Sequence, residues 1–152
     1  PTATATSALP VTFSIDGPSA AICSISGGNV SFNAEGTCTI NANQAGNGTF
    51  NAAPQVQQTV TIGKQNQTIG FTSTPPSPAL VGGSYTPTAT ATSALPVIFT
   101  IDGPSAAICS ISGGNVSFNA LGTCTINANQ AGNGQFNAAP QVQQFFVIDP
   151  PT

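Results

Sequence analysis

Four cysteines are the residues of this 152-residue chain best equipped for chemistry. Cys23 and Cys38 lie 15 positions apart, and Cys109 and Cys124 repeat that spacing. A thiol nucleophile needs a neighbouring base, and the chain has no His, so neither a Cys-His nor a Ser-His-Asp arrangement can form. A zinc site is disfavoured too, because there is no C-x-x-C pair and no His ligand. Disulfides remain. Four cysteines allow three pairings, and only Cys23 with Cys38 and Cys109 with Cys124 treats the two copies of the repeat described below alike. Free buried thiols are the alternative. The acids are Asp16, Glu35, Asp102 and Asp149, too few for calcium cages of six to eight oxygens. Asp16 and Asp102 stand in Asp-Gly-Pro and read as turns. Lys64 is the single cation, so a Lys–Asn crosslink in each copy is excluded. Neither an enzyme nor a cofactor or metal is expected.

The composition removes further classes. Charged residues make up 3% of the chain, against about 25% in an ordinary soluble domain. A net charge of −3 with one cation leaves no basic patch, so nucleic acid is not an expected partner. No run approaches the ~20 apolar residues of a membrane helix, and no membrane insertion is expected. No cleavable leader is visible, and the chain reads as a mature fragment or a piece of something longer. Good helix formers are scarce, while Thr, Val, Ile and Phe fill the periodic segments, which favours strands.

The elements that must position the cysteines come in duplicate. Residues 1–58 recur at 87–144, and only Thr12/Ile98, Ser14/Thr100, Glu35/Leu121 and Thr49/Gln135 differ. After that the copies diverge, with Thr59-Val60-Thr61-Ile62 opposite Phe145-Phe146-Val147-Ile148. The expectation is two small β domains, 1–64 and 65–152, each with its own core. Gln67 to Tyr85 precedes the second copy, and residues 1–64 contain no counterpart of it. The first domain is therefore expected to lack its first strand.

In the second domain the pattern predicts strands near 68–72, 79–82, 86–92, 97–102, 108–112, 115–119, 123–129 and 142–148, short and punctuated by Gly, Pro and Asn as in a β-sandwich. Alternation points Val11, Phe13 and Ile15 inward, with Val97, Phe99 and Ile101 as their copies. Gly27-Gly28 reads as a two-residue hairpin turn that sets Ile25 opposite Val30 and Cys23 opposite Phe32. Cys38, Ile40 and Ala42 form the inward face of the next strand, and Val60 and Ile62, or Phe146 and Ile148, complete the core. Both sulfurs of each pair then lie inside, and a bond would tie a hairpin to the opposite sheet.

Ala-Thr-Ala-Thr-Ser-Ala-Leu-Pro-Val, Cys-Ser-Ile-Ser-Gly-Gly, Gly-Thr-Cys-Thr-Ile-Asn-Ala-Asn-Gln-Ala-Gly and Phe-Asn-Ala-Ala-Pro-Gln-Val together resemble the bacterial Ig-like repeat domains of large surface and extracellular proteins. The resemblance covers essentially all of both copies. It implies two tandem Ig-like sandwiches serving as spacer, stalk, adhesin shaft or filament body. The expected function is a structural subunit or segment of an extracellular or cell-surface filament or stalk, partnered by itself or by neighbouring repeats. Disulfides agree with an oxidising compartment, and the short junction at Gly63-Lys64-Gln65 with an extended rod. The competing class is an adhesin or carbohydrate-binding module, for which Tyr85 is the one weak aromatic candidate.

The differences between copies point to an assembly surface. Thr12, Thr59 and Thr61, outward by parity, become Ile98, Phe145 and Val147, and Glu35 becomes Leu121. Ile98, Phe145 and Val147 are expected to form one apolar patch on one sheet, with Leu121 nearby, as an interface. The first domain is expected to be completed from outside, by the tail Phe145–Thr152 of a neighbour or by a segment upstream of Pro1. Four glycosylation sequons, at Asn29, Asn47, Asn66 and Asn115, are read as chance matches in a chain rich in Asn and Thr.

Overall fold

A computed structural model describes all of residues 1–152. The chain divides into two compact units, Pro1–Gln65 and Asn66–Thr152, one residue beyond the expected junction.

Unit 1 contains β1 (Thr12–Ile15), β2 (Cys23–Ser26), β3 (Asn29–Phe32), β4 (Gly36–Asn43) and β5 (Val56–Ile62). β4 lies between β1 and β5 in an antiparallel sheet, and β2 and β3 form a separate hairpin. The hairpin turns on Gly27 and Gly28, at φ 55° and 81°, the left-handed pair a two-residue turn requires. Its register sets Cys23 opposite Phe32 and Ile25 opposite Val30. Cys23, Cys38 and Ile40 are buried between the layers, with Phe13, Ile15, Ile22, Val30, Val60 and Ile62 packed against them. Residues 1–11 carry no strand.

Unit 2 repeats this frame and adds to it. β6 (Ile69–Phe71), β7 (Ala79–Leu80), β8 (Ser84–Tyr85) and β9 (Ala89–Ala91) precede β10 (Ile98–Ile101), β11 (Cys109–Ser112), β12 (Asn115–Phe118), β13 (Gly122–Asn129) and β14 (Val142–Asp149). One layer runs β10-β13-β14-β7, with β7 parallel to β14. The other holds β11-β12-β8 and β6-β9. Of the strand expected over 86–92 only β9 forms, beyond Pro87, and β8, just before it, is a strand the pattern did not predict. Proline has no N–H to give to a ladder, so β8 pairs with β12 while β9 pairs with β6. The chain is all-β, and residues 1–65 hold no strand corresponding to β6 to β9. Ile126, Ile148, Val116, Cys109 and Cys124 are the large wholly buried side chains of unit 2.

Two polar devices recur in both units. The Asp-Gly-Pro-Ser segments form short 3-10 turns, Gly17–Ser19 and Gly103–Ser105. Ser19 Oγ is buried, donates to the Thr37 carbonyl at 3.1 Å and accepts from the Thr39 N–H at 2.9 Å. It clips the turn to β4, and Ser105 does the same to β13. In the loop after β4, the Gln44 side chain donates to the Pro10 carbonyl and accepts from the Gly46 N–H. Gly46 has φ 75°, and a Cβ there would lie 2.4 Å from the Phe50 carbonyl oxygen, so only glycine fits.

Candidate interaction surfaces

The structure joins Cys23 to Cys38 and Cys109 to Cys124, each with a Cα separation of 5.9 Å. Each bond links the start of a hairpin to the middle strand of the facing layer. Closing a loop of this length contributes about 3 kcal/mol by restricting the unfolded chain, a large share for so small a core. No group of three or more His, Cys, Asp or Glu comes together. No helix is long and apolar enough to cross a membrane.

The duplication makes unit 2 a measure of what unit 1 leaves open. Phe32 is 54% exposed, and its copy Phe118 is 3% exposed. Val30 is half-buried where Val116 is wholly buried, and Val56 is 66% exposed where Val142 is half-buried. The segments that carry these residues are identical, so the difference comes from their neighbours: Asn66–Tyr85, and Phe146 where unit 1 has Val60. Gly82 N donates to the Phe118 carbonyl at 2.9 Å, and Phe118 N to the Gly83 carbonyl at 3.0 Å. Tyr85 stands opposite Val116. Ile69 packs in a cluster with Ala91, Ala128, Phe99 and Val142. In unit 1 Phe13, Ala42 and Val56, the copies of Phe99, Ala128 and Val142, border with Ala3 and Ile40 an open cleft of about 300 Å³.

The expected patch on unit 2 divides. Ile98, Phe145 and Val147 are all exposed and on the outer side of one sheet. Ile98 pairs with Asn129, whereas Phe145 and Val147 pair with Thr125 and Thr123. Four residues of strand, about 13 Å, separate the two places. Between them lies a polar network in which Asn127 Nδ2 donates to Asp102 Oδ1 at 3.2 Å and Gln143 Nε2 to Asn127 Oδ1 at 2.8 Å. Parity gave the correct side of the sheet; register sets the position along it, and parity carries no register information. Phe145 and Val147 border a shallow groove with Pro75, Pro76 and Pro78 instead.

Leu121 has a local account. Glu35 Oε1 lies 3.6 Å from Lys64 Nζ, and the counterpart of Lys64 in the second copy is Pro150. An acid at 121 would have no such cation, so the ion pair is replaced as a pair. Composition alone did not signal this, because the two residues lie 29 positions apart. Tyr85 is buried, and its Oη donates to Gln144 Oε1 at 2.8 Å and lies 2.6 Å from Ser73 Oγ, a packing role rather than an exposed ligand platform. Asn29, Asn47, Asn66 and Asn115 are all exposed.

No family model matches the chain. No curated protein matches it. Among solved structures it is similar to the crystal structure of human protocadherin-24 EC1-2, at 17% identity and a TM-score of 0.42, over 96% of this chain and 83% of that one. It is also similar to the crystal structure of the S-layer protein rSbsC(31-844), at 19% identity and a TM-score of 0.39, over 93% of this chain and 20% of that one. The likeness is one of all-β build and nothing finer.

Proposed function

We propose that this chain is a structural segment of an extracellular or cell-surface filament or stalk built from bacterial Ig-like repeats. The observation that carries the reading is the duplication of a small sandwich in which each copy has its own interlayer disulfide. Such bonds persist in oxidising compartments and add stability to each small core separately. The near-uncharged surface and the single lysine suit a durable, protease-resistant fibre. The buried, hydrogen-bonded Tyr85 removes the aromatic that best suited a carbohydrate-binding module.

Two measurements on native material test this together. Alkylation without reduction, read by mass spectrometry, is expected to find no free thiol. Electron microscopy is expected to find the protein in fibres or stalks. Freely alkylated cysteines in native material, or dispersed monomers, would overturn the reading.

A further inference from the structure

The open cleft of unit 1 is a strand-accepting site, and we infer that its occupant is the leading segment of a further repeat, of the type Asn66–Tyr85. The inference rests on the internal duplication and stands apart from the cellular location proposed above.

Unit 2 shows how the occupant is held. Its backbone pairs with β9, setting Ile69 opposite Ala91 and Phe71 opposite Ala89. The corresponding edge of unit 1 is Ala3–Ala5, which no strand covers. Gln67 anchors the start of the segment: it is 2% exposed, its Nε2 donates to the Asn137 carbonyl at 2.8 Å, and its Oε1 accepts from Ser93 Oγ at 2.5 Å. The same two partners exist in unit 1 as Asn51 and Ser7. The apolar floor is duplicated as well, since Ala42 and Val56 stand where Ala128 and Val142 receive Ile69. Further along, Gly82–Tyr85 closes over Phe118 and Val116, and their copies Phe32 and Val30 are the residues unit 1 leaves uncovered. Backbone edge, polar anchor and apolar floor therefore all specify one ligand: an extended, uncharged strand with Gln, Ile and Phe at alternate positions, followed by a Pro-rich bend and Gly-Gly-Ser-Tyr.

A second copy of these 152 residues is not the source. Its Asn66–Tyr85 segment is committed to its own unit 2. The tail of a neighbour, considered above as a donor, is committed too: β14 runs to Asp149 between β13 and β7, leaving Pro150–Thr152, of which two residues lack an N–H. The strand must come from another repeat.

The test is titration of the isotopically labelled full chain with a synthetic peptide of residues 66–86, followed by NMR. Saturable binding is expected at one peptide per chain, with shifts at Ala3, Ala5, Val30, Phe32 and Val56 and none at their copies in unit 2. A peptide carrying Ile69→Thr and Phe71→Thr should bind at least about 30-fold more weakly, because two large apolar side chains no longer leave water. In a second arm the same segment is fused directly before Pro1, and amide exchange around Phe32 is expected to slow toward the rate seen around Phe118, whose further partner Phe146 is Val60 in unit 1. Absence of peptide shifts together with unchanged exchange in the fusion would overturn the inference. So would concentration-dependent self-association of the unmodified chain through Ala3–Ala5, which would make a second copy the occupant.

Discussion

Truncating the same phenylalanine in the two copies should have sharply unequal consequences. Phe118 is 3% exposed, and Phe118→Ala removes a ring packed 5.3 Å, centroid to centroid, from Phe146 and covered by Gly83. Such a change costs about 3–5 kcal/mol, transfer and cavity terms together. Phe32 is 54% exposed, so about half of the transfer term is already forfeited. No cavity forms, because the site opens to water. Phe32→Ala should cost about 1–2 kcal/mol. The difference, roughly 2–3 kcal/mol, is about a 30- to 150-fold difference in the change of the local opening constant. Native-state hydrogen exchange reads it directly, and peptides spanning Glu35 or Leu121 distinguish the copies by mass. Because the two units need not unfold together, a single denaturation midpoint is the wrong observable. Equal losses in both units would refute the claim that Asn66–Tyr85, together with Phe146, is what buries the second copy.

Other expectations follow from particular contacts. Reduction of both disulfides should remove about 3 kcal/mol from each unit, so that on titration with reductant unit 1 loses exchange protection before unit 2; simultaneous loss would contradict the ranking of the two cores. Gln67→Ala should destabilise the β6 edge by about 1–3 kcal/mol through unpaired partners, seen as faster exchange at Thr92, whose N–H bonds to the Thr68 carbonyl; unchanged exchange there would count against the anchor. Glu35→Gln breaks an exposed ion pair and should shift unit 1 stability by less than about 1 kcal/mol, with a larger loss pointing to a role beyond that pair. Ile98→Thr and Phe145→Thr, at exposed and separated positions, should each leave unit 2 within about 0.5 kcal/mol and should combine additively; coupling in a double-mutant cycle read by hydrogen exchange in unit 2 would restore the single patch.

Much of the fold was legible because short-range rules govern it. The Gly27-Gly28 turn fixes its own register, so Cys23 opposite Phe32 could be read from the chain. Two-residue alternation places Phe13, Ile15 and Ile40 inward. The features that were not legible depend on relations between distant strands. The separation of Ile98 from Phe145 follows from pairing offsets across three strands. The Ser19 clip needs a turn and a strand brought together, and Asp-Gly-Pro-Ser announces only the turn. Pro87 was present to be read as a strand boundary, but the Thr/Ala alternation after it drew the expected strand back to Thr86, whereas β9 begins at Ala89.

The identity of β4 and β13, Gly-Thr-Cys-Thr-Ile-Asn-Ala-Asn in both, has a consequence for how the molecule is made. Each can accept either terminal strand, so the chain contains its own decoys. From Asn43 the correct partner begins 13 residues on, at Val56, and the incorrect one 99 residues on, at Val142. Those three doublings of loop length favour the near partner by only about 1.8 kcal/mol, roughly 20-fold. Cys23 faces the same choice between Cys38 and Cys124. A chain diluted out of denaturant should therefore yield a measurable fraction of crossed species. A chain delivered N-terminus first into an oxidising compartment would bring Cys23 and Cys38 together before Cys124 arrives, and such vectorial delivery narrows a misfolding route that the sequence itself leaves open.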